Sequence, residues 1–415
     1  MGKIKLSTDR LAIGLYIQLP SQWGEHPFLF NSFKIKDQQQ IKILQSLSSK
    51  YVFYVPEKSD ALPAAQNVLP QEKDKEDPFL EALWKLKHQR VEANKKYLRD
   101  LRKCQNEFDQ SLVAVRAINL KLNNQSTQAI GEAHELISKI CSKLIDGNNN
   151  VLHLMENGKN GNKGGQQHSH AFHVSILAMI LGNALDLSEQ ELIYLGLGGL
   201  FHDIGKSKVP DQILNNKPKI TTAENNFYKM HVLYGVEKSK TIAELSEPIR
   251  EIIGQHHEYL DGSGYPEKLR DNEITLLSQI VTVANEYDNM CNPTDKSPRR
   301  TPYHALSYLY KNKSKQLNKE VLGILIKKLG VYPPGCFVQL SNQQIGLVIS
   351  VTENNILQPN ILIYDPSIPK NEAPIIALSE KELKIEKVIS MAQLPEQIKE
   401  YLNPCETVSY YFDKE

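Results

Sequence analysis

Phe201-His202-Asp203-Ile204-Gly205-Lys206 is the stretch that decides how this chain folds. It closes the apolar run Leu192 to Leu200, so an imidazole and a carboxylate stand side by side where an apolar element ends. Such a pair can aim a neutral nitrogen and one oxygen at a single divalent cation, and the second oxygen can reach another. A His-Asp pair alone is commonplace. Here it has company: His170 upstream, then His231, the pair His256-His257, and Asp261-Gly262-Ser263-Gly264-Tyr265-Pro266 downstream. Histidines and acids at element ends, all within about one domain's length, point to a metal cluster.

Around this centre there are 415 residues, enough for two or three domains. A hydrophobic content of 40% and a charged content of 23% fit a water-soluble globular chain. The net charge of +1 argues against general attraction to DNA or an anionic membrane. Five scattered cysteines without a CxxC pair suggest reduced thiols, and hence the cytoplasm. The opening MGKIKLSTDR lacks an apolar signal core. Val174 to Leu181, the longest clean apolar run, is too short to span a bilayer.

The periodicities predict a multidomain, mainly α-helical protein. A small mixed α/β module occupies residues 1–70, with strands at Leu11–Leu19, Phe28–Ile35 and Tyr51–Val55 and a helix at Asp37–Leu47. It reads as a regulatory or interaction module, with a purely structural cap as the alternative. Residues 56–77 form a linker rich in proline and charge. A helical connector follows over 79–156. Val91, Leu98 and Leu112 fall in one heptad register and Leu101, Phe108 and Val115 in another, with Asn94 and Gln105 as polar positions. That pattern fits a coiled coil joining a homodimer, or equally an amphipathic helix docked on its own domain. The Gly/Asn/Lys tract Asn157–Gly165 reads as a flexible loop or hinge. The metal-binding helical core spans 166–330, and a β-rich appendage spans 331–415, with strands near Cys336–Leu340, Ile345–Val351, Asn360–Tyr364 and Lys384–Val388.

HDIGK, a later lone histidine and then HHEYLDGSGYP closely resemble the HD-GYP domain, a branch of the HD phosphohydrolases, over about His168 to Leu309. The flanks also resemble those of one HD-GYP subgroup, whose N-terminal domain has no settled function. The resemblance implies an HD-type helical fold and hydrolysis of the bacterial second messenger cyclic di-GMP to pGpG or GMP. It implies His170, His202, Asp203, His231, His256 and His257 as metal ligands, with Asp203 bridging two ions. Lys206 matches a lysine near the phosphate, and Gly264-Tyr265-Pro266 the signature loop, through which a GGDEF-type diguanylate cyclase is a candidate partner. Imidazole ligands suit iron, manganese or zinc better than magnesium or calcium, and two ions, iron or manganese, are expected. Lys206, about one turn from His202, can place a point charge on the phosphate. His168 and His173 flank His170; His170 is preferred because Val174, Leu177 and Ala178 then follow with the family's spacing.

The chain departs from the family pattern in two places. Gln166 stands where some members carry a third-metal glutamate, so two metals are expected. Asn285 stands where the last ligand is usually aspartate; its amide oxygen can coordinate, but without charge, so one metal is held more weakly. Asp288, about one turn on, either compensates or only orients a ligand. The insertion Asn292–Pro298 leaves Arg299 and Arg300 as candidates for the substrate's second phosphate. The leading reading is a cyclic di-GMP phosphodiesterase. The alternatives are an impaired member that binds the nucleotide or a partner and relays a signal, and an HD phosphohydrolase with another nucleotide substrate.

Overall fold

The computed structural model describes residues 3–65, 78–145, 163–214, 221–293, 298–351, 355–378 and 383–402. They divide into two compact units: Met1–Leu98 with Leu362–Ile376, and Arg99–Ile361 with Ala377–Glu415.

In the first unit, β1 (Ile4–Ser7), β2 (Tyr16–Gln18), β3 (Ser32–Lys34), helix α1 (Gln38–Ser46) and β4 (Tyr51–Tyr54) make an antiparallel sheet of order β1-β4-β2-β3. β4 alternates, burying Val52 and Tyr54, and Ile41, Ile43 and Leu44 of α1 complete the core beside Leu6 and Ile17. Asp37 caps α1 by accepting from the Gln40 amide at 2.8 Å. The two long runs expected as strands shorten to β2 and β3, because Trp23–Glu25 folds as a capped 3-10 turn between them. β1 has one buried side chain, Leu6, too little pattern to be read in advance.

Helix α2 (Pro78–Lys121) is continuous over 44 residues. Within the first unit, buried Lys87 pins it. The ammonium donates to the Trp23 and His26 carbonyls and lies 3.8 Å from the Trp23 ring centre. Burial pushes Lys87 down to about 8.

In the second unit, Phe108, Leu112, Val115 and Ile118 of α2 join one core with Ile130, Ala133 and Ile137 of α3 (Ser126–Ile145). This part of the heptad pattern is therefore satisfied by the chain itself, as for a docked amphipathic helix. Leu101 and Gln105 have side chains outside the described residues. Helix α4 (Lys163–Asn183) begins inside the tract expected as a loop, so Lys163, Gly164 and Gly165 are helical; the rest of that tract lies outside the described residues. The apolar periodicity from Ala171 onward supplies the packing that extends the helix back through the glycines.

The site is built on the helices after α4 together with α4 itself. Helix α5 (Glu189–Phe201) starts with a Ser188/Glu191 capping box and is buried from Leu195 to Phe201. It lies close against α4: a Cβ at Gly199 would sit 2.7 Å from Ser175 Cα. A 3-10 turn, Ile204–Lys208, then leads to α6 (Asp211–Leu214), α7 (Thr222–Lys229), α8 (His231–Lys240), α9 (Glu247–Gln255), α10 (Leu276–Cys291), α11 (Pro302–Asn312) and α12 (Lys319–Leu329). Gly205 lets that turn touch α8, since a Cβ there would sit 2.0 Å from the His231 carbonyl oxygen and 2.3 Å from the Gly235 nitrogen. Strands β5 (Phe337–Leu340), β6 (Ile345–Ser350), β7 (Asn360–Ile363), β8 (Ile375–Ala377) and β9 (Ile385–Ile389) and helix α13 (Glu396–Leu402) complete the described elements. β5 pairs antiparallel with β6 and β9. Among the described residues no helix is long and apolar enough to cross a membrane.

Gly205→Ala should therefore destabilise the second unit by about 2–3 kcal/mol, because backbone on α8 cannot step aside as a side chain can. Urea unfolding of the full chain, followed by helical circular dichroism, checks this; an unchanged midpoint would contradict the close approach.

Candidate metal centre

Three ligand-type histidines sit at helix ends. His202 caps the C-terminus of α5, His231 opens α8, and His256 caps α9. Each ring is held the same way. His202 Nδ1 lies 2.7 Å from the Gly199 carbonyl, His231 Nδ1 2.7 Å from Tyr228 O, and His256 Nδ1 2.8 Å from Ile253 O. A carbonyl only accepts, so each Nδ1 carries the proton and each Nε2 offers a lone pair inward.

All three Nε2 atoms converge on Asp203, whose two oxygens face different sets. Oδ2 lies 3.1 Å from His202 Nε2 and 3.9 Å from His170 Nε2. Oδ1 lies 3.4 Å from His231 Nε2 and 3.8 Å from His256 Nε2. Two groups of donor atoms result, each with every atom within 4.8 Å of the others: Asp203 with His231, His256 and His257, and Asp203 with His170 and His202. Asp203 belongs to both. His170 Nε2, His202 Nε2 and Asp203 Oδ1 are buried without a hydrogen-bond partner. Unsatisfied nitrogen lone pairs facing a carboxylate are what a divalent cation would satisfy, so the residues fit a metal site.

The surrounding groups reinforce this. His170 Nδ1 donates to Asp288 Oδ2 at 2.6 Å, and His173 Nδ1 lies 3.2 Å from Asp288 Oδ1. Asp288 thus stands behind the ring of His170, on the side away from Asp203, where a carboxylate can orient an imidazole. His173, stacked on Phe108 at 5.6 Å, sits behind this pair and outside both donor groups. Asn285 is buried on α10, and its side-chain oxygen accepts from Asn289 Nδ2 at 2.7 Å. Lys206 Nζ donates to Asp203 Oδ2 at 2.5 Å. Burial alone would raise Asp203, but the electrostatic influence of the neighbouring His202 ring and then of the Lys206 ammonium outweighs it and holds the carboxyl well below its usual range. Burial would lower Lys206; Asp203 reverses this and raises it. Burial, then neighbouring imidazoles, keeps His256 and His257 well below the ordinary histidine range, and burial pushes His231 down to about 4.

The Gly264-Tyr265-Pro266 loop packs against the histidine pair. Tyr265 stacks on His257, ring centres 4.6 Å apart and 19° from parallel. Gly264 passes so close that a Cβ would meet Glu258 Cα at 2.5 Å. Sequence reasoning missed what fixes the loop: buried Glu258 accepts from the amides of Glu267, Lys268 and Leu269 at 2.6, 3.0 and 3.1 Å. Its only signal was an acid directly after the paired histidines. A cavity of about 270 Å³ opens beside Asp203 and Lys206, with Asn119, Asn123, Ser207 and Lys238 also in its lining. Arg299 and Arg300 are exposed and do not line it; the Arg300 guanidinium sits 4.1 Å from the Tyr308 ring centre. The cavity is lined from the α2–α3 turn and α8, which places the expected insertion arginines apart from it. The side chain of Gln166 lies outside the described residues.

Residues 139–321 match the HD domain family, and residues 3–133 match a domain of unknown function, DUF3391. HDIGK, the histidine pair and the GYP loop all fall inside the stretch that matches the HD domain family, and the N-terminal match precedes it in the chain. The chain is 29% identical over 241 residues to Cyclic di-GMP phosphodiesterase PA4108 of Pseudomonas aeruginosa, covering 57% of each. It is 30% identical over 155 residues to Cyclic di-GMP phosphodiesterase response regulator RpfG of Xanthomonas campestris, covering 37% of this chain and 41% of that protein. It is 29% identical over 170 residues to 3'3'-cGAMP-specific phosphodiesterase 3 of Vibrio cholerae, covering 40% and 35%. The chain thus spans 57% or less of the length of each of these three relatives.

Two outcomes are expected. Asp288→Asn should weaken metal binding roughly 10- to 100-fold by releasing His170, measured by titrating chelated protein with Mn²⁺. The second concerns the metal-free protein. His231 titrates at about 4 when folded and near the ordinary 6.5 when unfolded. Between these values the unfolded chain binds more protons, so stability is complete above the upper value and falls as pH drops toward the lower. Melting temperatures of chelated protein from neutral to acid pH should decline through that window, and a flat profile would contradict the buried neutral imidazoles.

Proposed function

We propose that this chain is a metal-dependent phosphodiesterase that hydrolyses cyclic di-GMP to pGpG or GMP. The observation that carries the reading is Asp203, whose oxygens face two separate imidazole sets 3.1–3.9 Å away. His170, His202 and Asp203 would hold one ion, and His231, His256, His257 and Asp203 a second. Imidazole-rich sets favour a transition metal over magnesium or calcium, and iron or manganese is the proposed pair. Ions bound there would supply positive charge for the phosphate and a water acidic enough to act as nucleophile near neutral pH.

The chain's own groups do the rest. The carbonyls of Gly199, Tyr228 and Ile253 fix three imidazoles in the tautomer that presents Nε2. Asp288 does the same for His170. Lys206 stands beside the shared carboxylate, where an ammonium can turn to a non-bridging phosphate oxygen. Tyr265 holds His257 from behind and closes that side. Relatives with cyclic di-GMP and with 3'3'-cGAMP in their names support a cyclic dinucleotide as substrate class. The GYP loop remains the candidate surface for a GGDEF-type partner, and α2 for a homodimer contact.

Asn285 favours a second reading, an impaired member that binds the nucleotide and signals. Its oxygen is already engaged by Asn289, and it brings no charge to offset a cation. Anaerobic purification, metal analysis and hydrolysis assays on cyclic di-GMP and 3'3'-cGAMP separate the two. Asp203→Ala is expected to abolish hydrolysis and lower bound metal while helical content survives; full turnover by a metal-depleted Asp203→Ala protein would sink the mechanism. Asn285→Asp is expected to raise metal occupancy and turnover. Two fully occupied sites in the wild type, unchanged by Asn285→Asp, would remove the support for impairment.

A further inference from the structure

We infer that Lys238, positioned by Asn123, binds the second phosphate of the substrate; this rests on the cyclic dinucleotide reading above. A cyclic dinucleotide carries two phosphodiesters, of which the metal cluster engages one. The other needs a cation, and Arg299 and Arg300 do not line the cavity beside the cluster. Lys238 does.

Its place is set by α8. His231, Gly235 and Lys238 fall at i, i+4 and i+7, on one face of that helix. His231 meets Asp203, Gly235 packs under Gly205, and Lys238 carries the same face about 10 Å further along the axis. The cavity is at the lower end of the size of ligand pockets, roughly 300 Å³ upward, and so suits one portion of a dinucleotide.

The charges differ in a way that matters. Lys206 is tied to Asp203 at 2.5 Å, so its charge is already partly offset. Lys238 donates to a neutral partner, the Asn123 side-chain oxygen, at 2.7 Å. Half-buried, it is pushed down first by burial and then by Lys208, whose own carboxylate partner is Glu237 at 3.3 Å. Asp211 also lines the cavity. A partly desolvated ammonium pointed by a neutral amide suits a phosphate oxygen, which would restore the charge balance that burial disturbs. Asn123 lies in the turn between α2 and α3, so this hairpin takes part in substrate choice.

The test uses the full chain loaded with Mn²⁺ without oxygen, assayed on cyclic di-GMP and on bis(4-nitrophenyl) phosphate, which has one phosphodiester. For Lys238→Gln, KM for cyclic di-GMP should rise roughly tenfold with kcat nearly kept, the loss expected for one charged hydrogen bond. The ratio of kcat/KM on cyclic di-GMP to that on the small diester should fall by the same factor. Lys238→Arg should recover most of the loss, and Asn123→Ala should move KM in the same direction by less. An unchanged KM in Lys238→Gln, or equal losses on both substrates, overturns the assignment. A wild type that cleaves the small diester but no cyclic dinucleotide overturns the substrate reading and this assignment together. One that cleaves neither removes the phosphodiesterase reading and this assignment with it.

Discussion

A buried carboxylate surrounded by imidazole lone pairs is the constraint on which the second unit depends. Asp203 is held ionised, yet four nitrogens that can only accept, once their Nδ1 protons are committed, point toward its oxygens. Acceptor facing acceptor in a dry interior is unfavourable, and Lys206 offsets it on one oxygen alone. The arrangement becomes self-consistent when positive charge lies between the groups. The surrounding helices must be rigid enough to hold this arrangement before that charge arrives.

Rigidity comes from the way the helices meet. His202, His231 and His256 each occupy a helix end, where backbone geometry and the carbonyl three residues earlier fix the ring. The helices bearing them are pressed together at glycines: Gly199 against Ser175 and Gly205 against the start of α8. A side chain at either glycine would separate elements whose donor atoms lie within 4.8 Å of one another. The same economy of space explains Gly264, which passes against Glu258 so that Tyr265 can stack on His257.

Much of this was legible in the chain because it is local. His202, Asp203 and His256 stand at the ends of apolar periodic runs, and those run ends become helix ends; His170 lies within α4. Asp288 could be placed one turn from Asn285, and it meets His170 at 2.6 Å. What was not legible depends on partners far along the chain or on backbone. Glu258 acts on three amides, groups every residue has, so nothing in residue type announces it. Lys238 and Asn123 are 115 positions apart and meet only once the hairpin is docked. The glycines at the start of α4 looked like a hinge because local propensity favours one; packing of the apolar face beyond them prevails. In the heptad pattern, periodicity gave the buried face of α2 but not its occupant, which over Phe108–Ile118 is the chain's own core.

The carbonyl anchors behind three of the ligands have a bearing on proton bookkeeping. A histidine that must shed a proton to coordinate makes metal uptake release acid, and its affinity climbs steeply with pH. Here burial holds His170, His231, His256 and His257 below the ordinary histidine range, so their Nε2 atoms are bare at neutral pH. Asp203 is already a carboxylate. Capture of a cation by the set of Asp203, His231, His256 and His257 would then be almost proton-silent near neutrality: its heat should scarcely depend on the ionisation enthalpy of the buffer, and its affinity should level off across the physiological range.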